Sequence, residues 1–170
     1  MTKQRRAATS AEAKAMAHPL RLRILRLCLD EPRTNKELAD RLDMAPATVL
    51  HHVRTLVETG FLSPAEVRTG AGGALEKPYV ATRKSWDLDT EGMPEDDALG
   101  LAMVHAFRDE VLEAGPGALR NLARLGLRLN QQSEAELRAR LWDVIEDFGA
   151  RPPDVDGEPL ALFVAMHVRP

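Results

Sequence analysis

The chain is short of several things that would settle its class at once. It holds one cysteine, Cys28, in 170 residues. No internal disulfide can form, and a reducing, cytoplasmic compartment is expected. No run reaches the about 18 apolar residues that a membrane-spanning helix needs, so no membrane partner is expected. The opening MTKQRRAATS is polar and basic with no apolar stretch behind it, which is not a secretory pattern. Residues 1–8 are expected to be a flexible basic arm. The glycines at 70, 72 and 73 are not followed by Gly-Lys-Ser/Thr, so they do not make a phosphate loop. No nucleophile motif, metal-ligand set or cofactor loop is found. Carboxylate neighbours such as Asp96 and Asp97 point apart on a helix. The chain is therefore expected not to be an enzyme, and no cofactor is expected.

What is present fits a protein with an ordinary core. The apolar share is 44%, enough to fold without disulfides or metals. The length leaves room for one nucleic-acid-binding-sized module and a second small unit. The net charge of −3 hides a segregation. Residues 1–90 carry 15 Lys/Arg against 11 Asp/Glu, a net of +4, and residues 91–170 carry 8 against 15, a net of −7. Only the first half has the balance that suits a polyanion; the acidic half equally well serves solubility.

The most informative stretch runs from Thr34 to Phe61. Leu38, Ala39 and Leu42 give a short helix one apolar face, and Val49, Val53 and Leu56 give a longer one its own. Thr34 and Glu37 have the spacing of a capping box. Asp43 stands at the bend, where a left-handed backbone is tolerated, and Pro46 suits the first turn of the second helix. Helix, tight turn and helix make a helix-turn-helix, whose second helix enters the DNA major groove.

Upstream, Thr9 and Glu12 form another capping box for a helix over 9–17. His18-Pro19 breaks it, and PLRLRILRLCLDE, 19–31, follows as a core helix with Arg21, Arg23 and Arg26 turned outward. Arg23 and Arg26 suit phosphate contact or a solvated face. Downstream, 61–68 and 76–83 read as strands around a glycine-rich tip at 69–74. A hairpin in this place is a wing. Its cations Arg68, Lys77, Arg83 and Lys84 suit the DNA backbone or minor groove; the tip glycines also have a plain turn reading.

AMAHPLRLRILRLC, then TNKELADRLDMAPATVLHHVRTLVETGFL, then a glycine-rich wing resembles the winged-helix repressors of the arsenic-repressor (ArsR) class over residues 10–85. The resemblance implies a bacterial transcriptional regulator, mostly a repressor, that binds double-stranded operator DNA as a homodimer. Ala45, Ala47 and Leu50 stand where that class often carries polar residues. Many of its members sense metals. The thiolate site would need paired cysteines on NKELADRL, which has none, and on the later helix Asp97, His105 and Asp109 offer a single i, i+4 pair.

Helical geometry sorts the recognition helix, 46–59. Val49, Val53 and Leu56 face inward with His52 beside them as a packed core histidine. Ala47, His51, Arg54 and Glu58 face the opposite way. The candidate DNA-binding residues are Thr34, Lys36, Pro46, Ala47, Thr48, Leu50, His51 and Arg54, with Arg68 and Lys77 from the wing, 61–83. Thr48 and His51 can hydrogen-bond to bases, while Ala47 and Leu50 can pack on thymine methyls.

Residues 86–93 read as a linker and 94–170 as a helical dimerisation or effector domain. Its helices are expected over 94–114 (stripe Leu99, Met103, Ala106, Phe107, Glu110, Ala114), over 116–130, and over 133–149 with Ser133 and Glu136 as capping box. Leu160 to Val168 is apolar on both faces, as in a buried strand. Phe107, Trp142, Phe148 and Phe163 either line a pocket for a small-molecule effector or form a plain core. The expected fold is mainly α with small β: a winged helix-turn-helix over 9–85 and a helical domain ending in a strand. The expected function is sequence-specific DNA-binding regulation, with a winged-helix protein–protein adaptor or a metal-responsive repressor as alternatives.

Overall fold

The computed structural model describes residues 5–70 and 72–169. Met1 to Gln4 of the expected arm, Ala71 at the wing tip and Pro170 lie outside the described residues. The chain divides into two compact units, the first running to Ala118 and the second starting at Leu119.

In the first unit the local signals act as the sequence predicts. Thr9 caps α1 (Ser10–Met16): its hydroxyl accepts from Glu12 N at 3.3 Å, and the Glu12 carboxylate accepts from Thr9 N at 2.8 Å. His18 is extended, φ −149°, as a residue before proline should be, and its Nδ1 accepts from Leu20 N to cap α2 (Pro19–Leu27). That helix stops short of the expected Glu31. The Cys28 carbonyl accepts from Ala81 N at 2.9 Å instead of continuing the helix, and Pro32 bars another turn. The chain then enters a short strand that the apolar pattern did not signal.

The strand β2 (Arg33–Thr34) is one edge of a three-stranded antiparallel sheet with β3 (Leu62–Pro64) and β6 (Pro78–Ala81), in the order β2-β6-β3. Thr34↔Pro78 and Leu62↔Ala81 set the two registers. The wing proper is the hairpin of β4 (Arg68–Thr69) and β5 (Leu75–Glu76). The two long strands expected at 61–68 and 76–83 are each broken, next to Pro64 and Pro78, which lack the N–H a ladder needs.

Between the sheet strands come α3 (Asn35–Leu42) and α4 (Pro46–Glu58). Their apolar faces supply nearly half of the core: Leu38, Ala39, Leu42, Val49, Val53 and Leu56 are buried with Ile24, Cys28, Phe61 and Leu62. Each of the buried valine, leucine, isoleucine and phenylalanine side chains contributes roughly 1.5–3 kcal/mol on burial. Cys28 is a small core residue whose thiol is pushed up to about 11, chiefly by burial.

Two expected boundaries move. Arg6–Ala7 of the expected flexible arm forms β1, which pairs in parallel with β7 (Leu88–Asp89). The expected linker thus contains a strand, and Leu88 in it is buried. Beyond it, α5 (Asp96–Ala114) packs on α1 and α2 within the first unit, not in a second one. It buries Leu99, Ala102 and Ala106, whereas Met103 of the expected stripe is exposed.

The second unit contains one helix among its described residues, α6 (Gln131–Gly149). Asn130 caps it, with Oδ1 accepting from Ser133 N at 2.8 Å, so it starts before the expected Ser133 box. The helix expected over 116–130 does not form. Gly115-Pro116-Gly117 breaks the chain, and Leu125, Leu127 and Leu129 alternate at a strand-like period of two. Leu160–Val168 has no regular secondary structure and, apart from the half-buried Phe163, is exposed rather than a buried strand. An apolar stretch without a paired neighbouring strand cannot make a sheet.

Candidate nucleic-acid interface

The turn between α3 and α4 is set by two features. Asp43 adopts φ 51°, ψ 50°, the left-handed conformation expected there. Asn35 Nδ2 donates to Pro46 O at 3.0 Å, tying the first residue of α3 to the first residue of α4. Ala45 supplies no side-chain cap, and Pro46 has no N–H to be capped.

On α4, Val49, His52, Val53 and Leu56 are buried. Pro46, Ala47, Thr48, His51 and Arg54 are exposed, and Leu50 is half-buried. The helix therefore shows solvent a face of two hydrogen-bonding side chains, two small apolar ones and a cation. Among the described residues Arg54 makes no ion pair, and neither does the exposed Lys77 beside β5. Lys36 is exposed on α3 and pairs with Asp40 at 2.6 Å.

Behind that face stands a histidine cluster. The His52 ring lies 4.5 Å from the His18 ring and 5.4 Å from the His51 ring, centre to centre. His52 Nδ1 is buried without a partner among the described residues. Burial first, and then electrostatic repulsion from His18, Arg21 and His51, pushes the His52 imidazole down to about 4. It is neutral at pH 7 and serves as core, as its spacing predicts.

Several cations and polar groups that the sequence offered to DNA are engaged elsewhere. Thr34 is buried; its hydroxyl accepts from Glu37 N at 3.2 Å and its N–H donates to Glu37 Oε2 at 2.7 Å. It is a helix cap and has no open face to offer. Arg23 pairs with Glu113 and Arg26 with Glu110, both on α5. Arg41 pairs with Glu113 as well. Lys84 turns inward to Glu12 and to the Thr59 carbonyl, with its ammonium 5.2 Å from the Phe61 ring centre. Arg83 faces Asp30 at 3.7 Å. Arg68 is held by Glu76 and Glu37.

The expected effector-pocket residues fall in different units. Phe107 is half-buried on α5 of the first. Trp142 and Phe148 lie on α6 of the second, and Phe163 lies in its C-terminal segment. Phe148 is exposed, with the Arg151 guanidinium 3.9 Å from its ring centre. Sequence reasoning did not find Asn35, Gly70 or Glu76. A polar residue at a helix start and a glycine in a turn carry no sign of the partner they will meet.

Residues 16–64 match the family described as helix-turn-helix domain. Three solved structures are similar at low identity. Reduced HlyU from Vibrio cholerae is 19% identical, with 55% of this chain and 80% of that one covered, at a TM-score of 0.37. ZitR from Lactococcus lactis, in an apo form, is 17% identical over 78% of this chain and 83% of that one, at 0.35. The adhesin competence repressor AdcR from Streptococcus pyogenes is 17% identical over 81% of each chain, at 0.31. No curated protein matches the sequence. The first unit contains a helix-turn-helix domain with a hairpin wing, an architecture used to read duplex DNA.

Proposed function

We propose that the chain is a sequence-specific double-stranded DNA-binding transcriptional regulator, a homodimeric repressor of the arsenic-repressor class. In this reading α4 enters the major groove, and Thr48, His51 and Arg54 meet base edges while Ala47 and Leu50 pack on thymine methyls. Lys36 and Lys77 contact phosphates. The observation that carries the reading is the exposed face of α4, whose hydrogen-bonding and small side chains stand clear of the core that fixes the opposite face.

Dimerisation is proposed through α5. Leu101, Val104 and Leu112 are exposed on the side of that helix away from its buried Leu99, Ala102 and Ala106. A two-fold pair would set two recognition helices about 34–36 Å apart, one duplex turn, on an inverted repeat.

The test is capture of genomic DNA fragments by the purified chain at two salt concentrations, followed by sequencing. Enrichment of a short inverted repeat is expected, with binding that falls steeply as salt rises. Absence of capture at low salt would overturn the reading and leave a protein–protein adaptor.

A further inference from the structure

Arg68 has the position of a wing cation, yet its guanidinium faces two carboxylates. Arg68 and Glu76 are direct partners across the hairpin ladder, and Arg68 Nε donates to Glu76 Oε2 at 3.1 Å. On its other side Arg68 Nη2 donates to Glu37 Oε1 on α3. The second oxygen of Glu37 is the one that accepts from Thr34 N in the capping box, so this anchor is fixed to the helix start. Glu76 is seated by a glycine. A Cβ placed on Gly70 would lie 2.7 Å from the Glu76 carboxyl carbon, well inside contact distance. Gly70 has no positive φ, so its role here is the space it leaves.

The local charge argues against a phosphate site. One guanidinium between two carboxylates leaves a net of −1, and a phosphate would have to displace a carboxylate from a planar fork that already matches it. The continuation is mechanical. Glu37 stands on α3, α3 packs on α4, and Asn35 ties the two helix starts together.

We propose that Arg68 is a positioning residue: held between Glu76 and Glu37, with Gly70 making room, it sets the angle of the 68–76 hairpin relative to the recognition helix and leaves phosphate contact to Lys77. This rests on the DNA-binding reading above.

The two roles predict opposite signs. If Arg68 contacted phosphate, Glu76→Gln would release it and tighten DNA binding, and Arg68→Gln would lower the slope of log affinity against log salt by about one. As a positioning residue, Glu76→Gln, Gly70→Ala and Arg68→Gln each weaken binding about two- to five-fold, the range of exposed ion pairs, with the slope unchanged. The double variant Arg68→Gln/Glu76→Gln is no weaker than either single one, because both break one network. The loss disappears on a duplex trimmed to the two half-sites read by α4; a general loss of stability would weaken both duplexes alike.

The experiment uses the full chain and the inverted repeat recovered by genomic capture, with hydrogen exchange as a readout that needs no DNA. The Gly70 amide, bonded to Ala74 O at 2.9 Å, should exchange faster in all three variants. Failure of the wild-type chain to bind any duplex would overturn the functional reading, while exchange still tests the anchor. Tighter binding by Glu76→Gln, or unchanged exchange in Arg68→Gln, would overturn the positioning role.

Discussion

Lys84 Nζ lies 2.5 Å from Glu12 Oε1, so the residue that follows the wing and the first helix share one buried carboxylate. Arg6 approaches the same group with both arms of its guanidinium, at 2.6 and 2.9 Å. The hydrogen bond from Arg6, together with those from Lys84 and Thr9, outweighs burial and holds the Glu12 carboxyl far below its ordinary 4.5.

Glu12→Gln should therefore destabilise the first unit by about 2 kcal/mol, the scale of a hydrogen bond to a charged group. The wild-type contribution has a definite pH sign. The folded carboxyl titrates below the unfolded one, so its stabilisation is complete above about pH 4.5 and is lost as pH falls below it. Urea midpoints of wild type and variant, followed from pH 7 to pH 3, should converge. A constant gap would show that the ion pairs are not the cause.

His52 titrates in the same direction for a different reason. Its imidazole is depressed from 6.5 to about 4 mainly by burial, so the unfolded chain binds its proton first. Stability from this site is full above pH 6.5 and declines as pH falls toward 4, by about 1–2 kcal/mol between pH 7 and 5. His52→Leu removes both the proton site and an unpartnered buried nitrogen. The variant should be at least as stable as wild type at pH 7, and its advantage should widen at pH 5. Chemical denaturation at the two pH values measures both.

The two faces of the reading head should respond differently to substitution. His51→Ala is expected to change which duplex is preferred, because its side chain is on the exposed face of α4. Lys77→Ala is expected to weaken binding to all duplexes alike and to lower the salt slope by about one. Thr34→Ala should cost about 1 kcal/mol of stability through the lost cap and leave sequence preference intact. Parallel titrations of the captured repeat and a scrambled duplex separate these cases; an equal loss on both for His51→Ala would count against base readout.

Val104→Asp places a charge on the outward face of α5 without touching its packed side. The variant should keep the helical content of wild type and sediment as a monomer at micromolar concentration. A wild-type chain that is itself monomeric there would refute dimerisation.

Much of the first unit was legible in the sequence because its signals are local. Two capping boxes, a left-handed Asp43, Pro19 and Pro46 at helix starts and an i, i+4, i+7 stripe each act within one turn of chain. The strands were less legible. Arg33–Thr34 and Arg6–Ala7 are two residues long, and their partners lie far along the chain, so no periodicity marks them. The candidate interface divided in the same way. Helical phase placed His51 and Arg54 outward and His52 inward, because phase follows from spacing alone. It gave no information on Arg23, Arg68 or Lys84, whose carboxylate partners come from other elements. Beyond Pro116 the leucines fit a helix by count, but the Gly-Pro-Gly break and the two-residue alternation of Leu125, Leu127 and Leu129 fit the irregular segment better.

The parallel pairing of Arg6–Ala7 with Leu88–Asp89 also bears on the order of folding. Closing so long a loop costs entropy that few bonds return, so the two strands are expected to come together after the helices, the sheet and the wing between them. The ladder is therefore expected to close late in folding and to open early in unfolding, and exchange of the Ala8 amide, bonded to Asp89 O at 2.8 Å, measures it. The segment that leads into the proposed dimer helix should then be the last part of the first unit to lock.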